Sequence, residues 1–242
     1  MPWTHPAGSG LFSEFRIMKI AILSATARET EPVRQYLNER IHLRKKHQFS
    51  FWTTGVGLMH TTYELTCHLR TEKPDLLIQT GICGGFHPLQ HPIGSAVAVK
   101  EELVGDMGAM EPDGSWRDIF DLRLSDPFGS PYAEKCLSNP HIKLLMACGM
   151  PSVRGISVNQ VTTDPQMVRK LSASYAPDVE SMEGAAFHYV CLKEGIPFVQ
   201  LRGISNLIGD RDKSRWQMRE ALESVQNSLN RLLDKIVESD LI

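Results

Sequence analysis

An α/β fold with a largely parallel sheet covered on both faces is what this sequence predicts, on three observations. Short apolar runs fit for buried strands, such as Lys19–Ala25, Leu76–Thr80 and Ile196–Leu201, alternate with stretches of helical periodicity. These runs are continuous rather than alternating, as in strands buried on both sides. Polar or glycine-rich segments follow them directly, where ligands bind in open α/β sheets.

Taken in order, Lys19 to Ala25 (KIAILSA) reads as a strand, and Thr26–Glu31 turns it into a helix that tolerates Pro32 in its first turn and ends near Asn38. Phe49–Thr54 is a strand, turned by Gly55-Val56-Gly57 into a helix over Leu58–Arg70. Leu76–Thr80 is a buried strand, and Gly81-Ile82-Cys83-Gly84-Gly85 reads as a tight loop after it. Ser95–Val104 is a further strand. Gly105–Pro131, rich in Gly, Asp and Pro, is the least regular stretch, and loops of this length are usually functional or disordered. Tyr132–Ser138 reads as a helix and His141–Met150 as another short element. Val153–Val158 is a strand, and Asp164 with Pro165 opens a helix to about Ala173. Glu183 starts a helix whose small residues let it sit close to the sheet. The strand Ile196–Leu201 ends where polarity returns at Arg202, and apolar spacing from Ser214 to about Glu238 gives a closing helix.

The 242 residues make one domain, expected over 18–242, with residues 1–17 as an extension outside the fold because the strand signal begins at Met18. A net charge of −2 gives no reason to invoke nucleic acid, and no apolar run approaches the ~18–20 residues of a membrane span. Five cysteines, with no CxxC pair, favour reduced thiols in a cytoplasm.

Four strand-end segments carry chemistry. Glu29 is either a general base for water or an ordinary acid in the first turn of a helix. Glu183 has two oxygens that accept from two neighbouring hydroxyls, as a ribose diol demands, or it too simply favours a helix start. Arg202 either orders these acids, meets an anion or forms a surface ion pair. The run TGICGG lets backbone approach a ligand but lacks the spacing of a P-loop or dinucleotide site. His87 and His91 have no companion ligands, so no metal site is expected. Arg211, Lys213 and Arg215 form a basic cluster beside Trp216, either a solvated helix start or a seat for an acidic substituent.

In this order, MKIAILSATARETE (18–31), TGVG (54–57), TGICGG (80–85), VGDMGA (104–109), VESMEGAA (179–186) and RGISNLIGDRDKSRW (202–216) resemble the purine nucleoside phosphorylase and nucleosidase superfamily over most of Met18–Ile236. Within it the chain is most similar to the futalosine hydrolase branch, through its ISN-x-x-GDRD-x-S-x-W tail and the V-N-x-V-T segment at 158–162. The resemblance implies a three-layer α/β sandwich around a twisted mixed sheet, no cofactor, a small purine nucleoside as partner and a homodimer in which VGDMGA helps close the neighbouring site. It implies hydrolysis of futalosine, releasing hypoxanthine on a menaquinone pathway. Residue by residue, it puts water activation on Glu29 and sugar binding on Met182 and Glu183, with Arg202 at the same end. It places the base near Val161 and Thr162, and counts Ser205, Gly81 and Ile82 among the other substrate-binding positions.

Two departures from adenine-releasing relatives stand out. Ile82 replaces a Ser that helps hold the water, and Asn206 replaces an Asp. An amide donates to a carbonyl O6 and accepts from a protonated N7, which suits 6-oxopurines, whereas Asp suits 6-aminopurines. The alternatives are a methylthioadenosine/S-adenosylhomocysteine nucleosidase, an inosine-type phosphorylase, for which the SATARE loop lacks the expected phosphate cradle, and a silent nucleoside-binding protein.

Overall fold

Side-chain parity along the central strands sorts this chain into three layers. The computed structural model describes residues 17–238; the expected extension, apart from Ile17, lies outside the described residues. The elements are β1 (Lys19–Ser24), α1 (Ala27–Glu39), α2 (Ile41–Lys46), β2 (Gln48–Thr53), α3 (Leu58–Thr71), β3 (Leu76–Gly85), β4 (Ala96–Val104), β5 (Gly108–Met110), β6 (Trp116–Asp118) and β7 (Leu137–Ser138). They continue with α4 (Ile142–Ala147), β8 (Ser152–Ser157), α5 (Pro165–Tyr175), β9 (Val179–Ser181), α6 (Gly184–Glu194), β10 (Phe198–Leu207), a single 3₁₀ turn (Lys213–Arg215) and α7 (Met218–Glu238).

Ile20, Ile22, Leu76, Ile78, Val199 and Leu201 face one way and pack on α1, α2, α4 and α7 through residues such as Val33, Leu43, Leu144 and Leu229. Ala21, Leu23, Leu77 and Phe198 face the other way, onto Leu65 and Leu69 of α3 and Phe187 and Val190 of α6. This is the expected sandwich. Because both faces are covered, the central strands carry apolar residues on both sides, as the unbroken runs implied.

The sheet is mixed: β1 pairs in parallel with β2 and β3, and β10 in parallel with β3 but antiparallel with β4. The first half of β3 lies between β1 and β10, while its far end, Gly84 and Gly85, pairs with β9. With β4–β8 and β8–β9 parallel, the strands β10, β4, β8, β9 and β3 close into a ring around Cys83, Val97, Val99, Val153, Val179 and Ile204. Among the described residues, no helix is long and apolar enough to cross a membrane.

Four expectations are corrected. Gly81–Gly85 is not a loop: it continues β3, held by β10 on one side and by β9 at its end. The last core strand does not stop at Leu201 but runs through Arg202 to Leu207, so Arg202 lies inside a strand. Tyr132–Ser138 is not a helix. Glu134 and Lys135 have φ of 51° and 71°, and Lys135 is clamped between Asp118 and Asp121 at 2.9 and 2.7 Å, so a tertiary ion pair overrides local helix preference. The closing helix begins at Met218 rather than Ser214, because Asp212 accepts from Ser214 N–H and holds the chain in a separate turn.

α7 lies directly on β10 at Gly203, where a Cβ would stand 2.6 Å from the Ala221 carbonyl carbon and 3.1 Å from its Cα. Gly203→Ala forces two backbones apart, and urea unfolding should show a loss of about 1–3 kcal/mol.

Candidate active site

The first acid of the chain meets the last strand over a bare stretch of backbone. Glu29 occupies the first turn of α1, where one oxygen, Oε2, accepts from the N–H and hydroxyl of Thr26, each at 2.9 Å. That is the helix-start role. Its other oxygen, Oε1, points at β3. A Cβ on Gly81 would stand 2.9 Å from Glu29 Oε1 and 2.7 Å from Arg202 Nη1. Glycine is required here by close approach from two sides. Glu29 therefore holds the helix start with one oxygen and turns the other to the β3 backbone.

Arg202, paired with Gly81 across the β3–β10 ladder, is 1% exposed. Its Nη1 donates to Glu183 Oε2 at 3.3 Å and to Ile82 O at 3.4 Å, and its Nη2 to Gln79 Oε1 at 3.0 Å. The surface ion pair considered from sequence is excluded: this is a buried pair that fixes a carboxylate. Glu183 is also buried and caps α6 just after the half-buried Met182. Its Oε1 accepts from Gly57 N–H at 3.3 Å. Each Glu183 oxygen has one bond from the protein and a lone pair left, which matches two adjacent hydroxyls.

Further along β3, a bulge in β10 between Ile204 and Asn206 sets Asn206, rather than Ser205, beside Gly84. Gly81 to Gly84 is roughly 10 Å of strand at about 3.3 Å per residue. Ser205 Oγ, with one proton to give, lies 3.1 Å from Cys83 O and 2.8 Å from Asn206 Oδ1, while Asn206 Nδ2 donates to Leu207 O at 2.9 Å. One N–H and at least one lone pair of the Asn206 amide remain.

Val161 is half-buried and Thr162 buried. Thr162 N–H donates to Glu180 Oε1 at 3.0 Å, and its carbonyl accepts from Gly209 N–H at 3.2 Å. Glu180 pairs with Gly84 across β9, so this loop hangs from the same point of β3 as Asn206. Burial raises the Glu180 carboxyl above its ordinary range, against the Thr162 bond. Val161 and Thr162 also line a cavity of 400 Å³ with Asp106 and Trp116, and Asp106 accepts from Asn159 N–H, tying VGDMGA to the loop. A 680 Å³ cavity on the other side of Trp116, lined also by Lys135, Arg154 and Tyr175, is not lined by Glu29, Val161, Thr162, Glu183, Arg202 or Asn206.

The basic cluster folds onto its own loop: Arg215 pairs with Asp210 at 2.8 Å and Asp212 at 3.4 Å, and Arg211 lies over the Trp216 ring. Sequence reasoning missed Gln79, Glu102, Glu180 and Gln200, all buried. A polar residue inside an otherwise apolar run, as in LLIQT and FVQLR, was the available signal. Among the described residues, no three His, Cys, Asp or Glu side chains gather as a metal site.

Residues 19–238 match the phosphorylase superfamily. The chain belongs to that family. It is 27% identical over 195 residues to the futalosine hydrolase of Thermus thermophilus, spanning 76% of this chain and 81% of that one. It is 25% identical over 240 residues to the 5′-methylthioadenosine/S-adenosylhomocysteine nucleosidase of Bacillus velezensis, spanning 88% and 97%. In fold, this superfamily member is similar to the Helicobacter pylori 5′-methylthioadenosine/S-adenosylhomocysteine nucleosidase (TM-score 0.73, 15% identity, 90% of this chain and 99% of that one). The futalosine hydrolase of the same organism fits equally in kind (TM-score 0.71, 15% identity, 90% and 98%).

Arg202→Met strands the Glu183 carboxylate and Gln79 in the interior. Chemical denaturation should report a loss of about 3–5 kcal/mol, the cost of a buried charge without its partner.

Proposed function

We propose that the protein is a nucleosidase that hydrolyses the N-glycosidic bond of futalosine and releases hypoxanthine. The observation that carries the reading is the spare hydrogen-bonding capacity of Asn206. One N–H and one lone pair suit O6 and the protonated N7 of a 6-oxopurine leaving group. Three relatives named futalosine hydrolase, at 26–28% identity, support the same choice. Glu183 holds the sugar hydroxyls with the oxygen lone pairs that Gly57 and Arg202 leave free. Glu29 Oε1, at the Gly81 backbone, takes a proton from the attacking water as the sugar becomes cationic. Ile82 brings no hydroxyl to the water, so backbone at Gly81–Ile82 and Glu29 share that task.

The wider setting proposed is menaquinone synthesis, in a cytoplasm whose reducing conditions suit the five free cysteines. A homodimer is proposed on the exposed apolar side chains Val56, Met59 and Tyr63, which flank the Gly57 contact to Glu183. The runner-up is a methylthioadenosine/S-adenosylhomocysteine nucleosidase, supported by relatives named as nucleosidases of methylthioadenosine, four of them also of S-adenosylhomocysteine, over 74–88% of this chain.

Incubation with futalosine, inosine and methylthioadenosine in phosphate-free buffer, with chromatography of the released base, separates these readings. Hypoxanthine from futalosine is expected; adenine as the main product, or a strict phosphate requirement, rejects the proposal. Glu29→Gln should lower kcat by about 10²–10⁴-fold with little change in binding. Asn206→Asp should shift selectivity toward 6-aminopurines by roughly ten- to a hundredfold in kcat/KM.

A further inference from the structure

Beneath Glu183 lies a buried acid that the chemistry above does not use. Glu102, on β4, is 0% exposed. Its Oε2 accepts from Ser157 Oγ at 3.0 Å, and Ser157 Oγ accepts from Ala185 N–H at 2.8 Å. Glu102 is thus one hydroxyl from the first turn of α6. The fit is close: a Cβ on Gly155 would stand 2.5 Å from Glu102 Oε1, and one on Gly184 would strike the same oxygen and stand 2.5 Å from Gln200 Nε2.

On its other side Glu102 Oε1 lies 2.9 Å from Gln200 Nε2. Beyond it, Gln200 Oε1 and His188 Nε2 are both buried and without a partner, although the two side chains are in hydrogen-bond reach. His188 Nδ1 lies 2.8 Å from Leu137 O. A carbonyl only accepts, so Nδ1 carries the proton and Nε2 of the neutral ring is an acceptor. Two acceptors then face each other. A half-turn of the Gln200 amide removes the conflict: its nitrogen donates to His188, and its oxygen turns to Glu102 and needs a donor. The protonated acid supplies it.

We propose that Glu102 is a positioning residue, held as a neutral carboxylic acid whose proton goes to Gln200, so that Glu102, Gln200 and His188 form one satisfied chain that fixes α6 and keeps Glu183 at Arg202. The groups facing Glu102 agree with this. Burial pushes its carboxyl up to about 7, against the bonds from Gln200 and Ser157 and the charge of Arg202, while the charge of Glu183 adds to the rise. Burial lowers His188 to about 4, keeping the ring neutral, and raises the Cys83 thiol of β3 to about 12. β8 contributes Ser157 and Gly155. With Glu102 neutral, Arg202 answers one anion, Glu183. Ionised Glu102 becomes a second claimant on the guanidinium and loosens Glu183.

Infrared spectra of the protein alone should show a buried carboxylic-acid C=O stretch that fades as pH rises through about 7 and is missing in Glu102→Gln. No such band in the wild type overturns the proposal without recourse to any variant. Stability gives a second reading. The unfolded chain releases this proton near 4.5 and the folded protein near 7, so the wild type loses stability relative to Glu102→Gln as pH rises across that window. A difference that stays constant across the window counts against it. The kinetic arm rests on the nucleosidase reading: KM should rise about tenfold between about pH 6 and about pH 8 in the wild type and much less in Glu102→Gln. Base release with identical KM profiles sinks this inference alone. No base release at any pH, with the infrared band intact, sinks the nucleosidase reading alone.

Discussion

A guanidinium sealed from solvent is the constraint to which the rest of the site answers. Arg202 is 1% exposed, and a charge so placed is tolerated only with a counter-charge and acceptors around it. Glu183, Gln79 and the Ile82 carbonyl supply them. That demand explains why polar residues appear in the middle of β3 and β10. On the face turned to α3 and α6, an apolar cluster around Phe187 and Phe198 lies on one side of these residues, and the apolar ring interior around Cys83 and Ile204 lies on the other. Between them runs a band of Gln79, Gln200, Arg202 and Glu102. Glu183 is therefore not a surface group that happens to face a cleft. It is one end of a buried polar network, and its geometry is set by packing.

β3 connects this network to the rest of the site. Its glycines are where other groups come closest: Glu29 and Arg202 at Gly81, Ile208 and Asn206 at Gly84, Ile204 at Gly85. Side chains there would fill the space in which the site is assembled. The strand remains a strand because its backbone is paired along its length, so the flexibility usually associated with glycine runs is not in play. The bulge in β10 then sets the amide of Asn206 at the far end, apart from the acids at the near end.

Much of this was legible in the sequence. Layering followed from apolar periodicity, since Ile20 and Ile22 against Ala21 and Leu23 already assign two covered faces. Glu29, Gly81, Arg202 and Glu183 are indeed brought together. What the sequence concealed was set by partners distant along the chain. Gly81–Gly85 reads as a loop because glycine disfavours isolated strands, and only pairing with β9 and β10 overrides that. Arg202 reads as a surface charge until its register beside Gly81 buries it. Tyr132–Ser138 has the composition of a helix, and an ion pair to β6 and the turn after it decides otherwise. The Gly57 N–H and the Glu180 clamp on Thr162 involve a backbone group and a second-strand acid, neither of which has a sequence signature of its own.

The close contact at Gly184 has an evolutionary corollary. The Glu102 carboxylate fills the volume that a methyl group at 184 would take, so the acid, where it stands, restricts position 184 to glycine. A lineage that acquires alanine at the helix start must give up the long acid on the neighbouring strand, in one step or through a damaged intermediate. These two positions, 82 residues apart in the chain, are thus physically coupled: a side chain at 184 needs room made at 102.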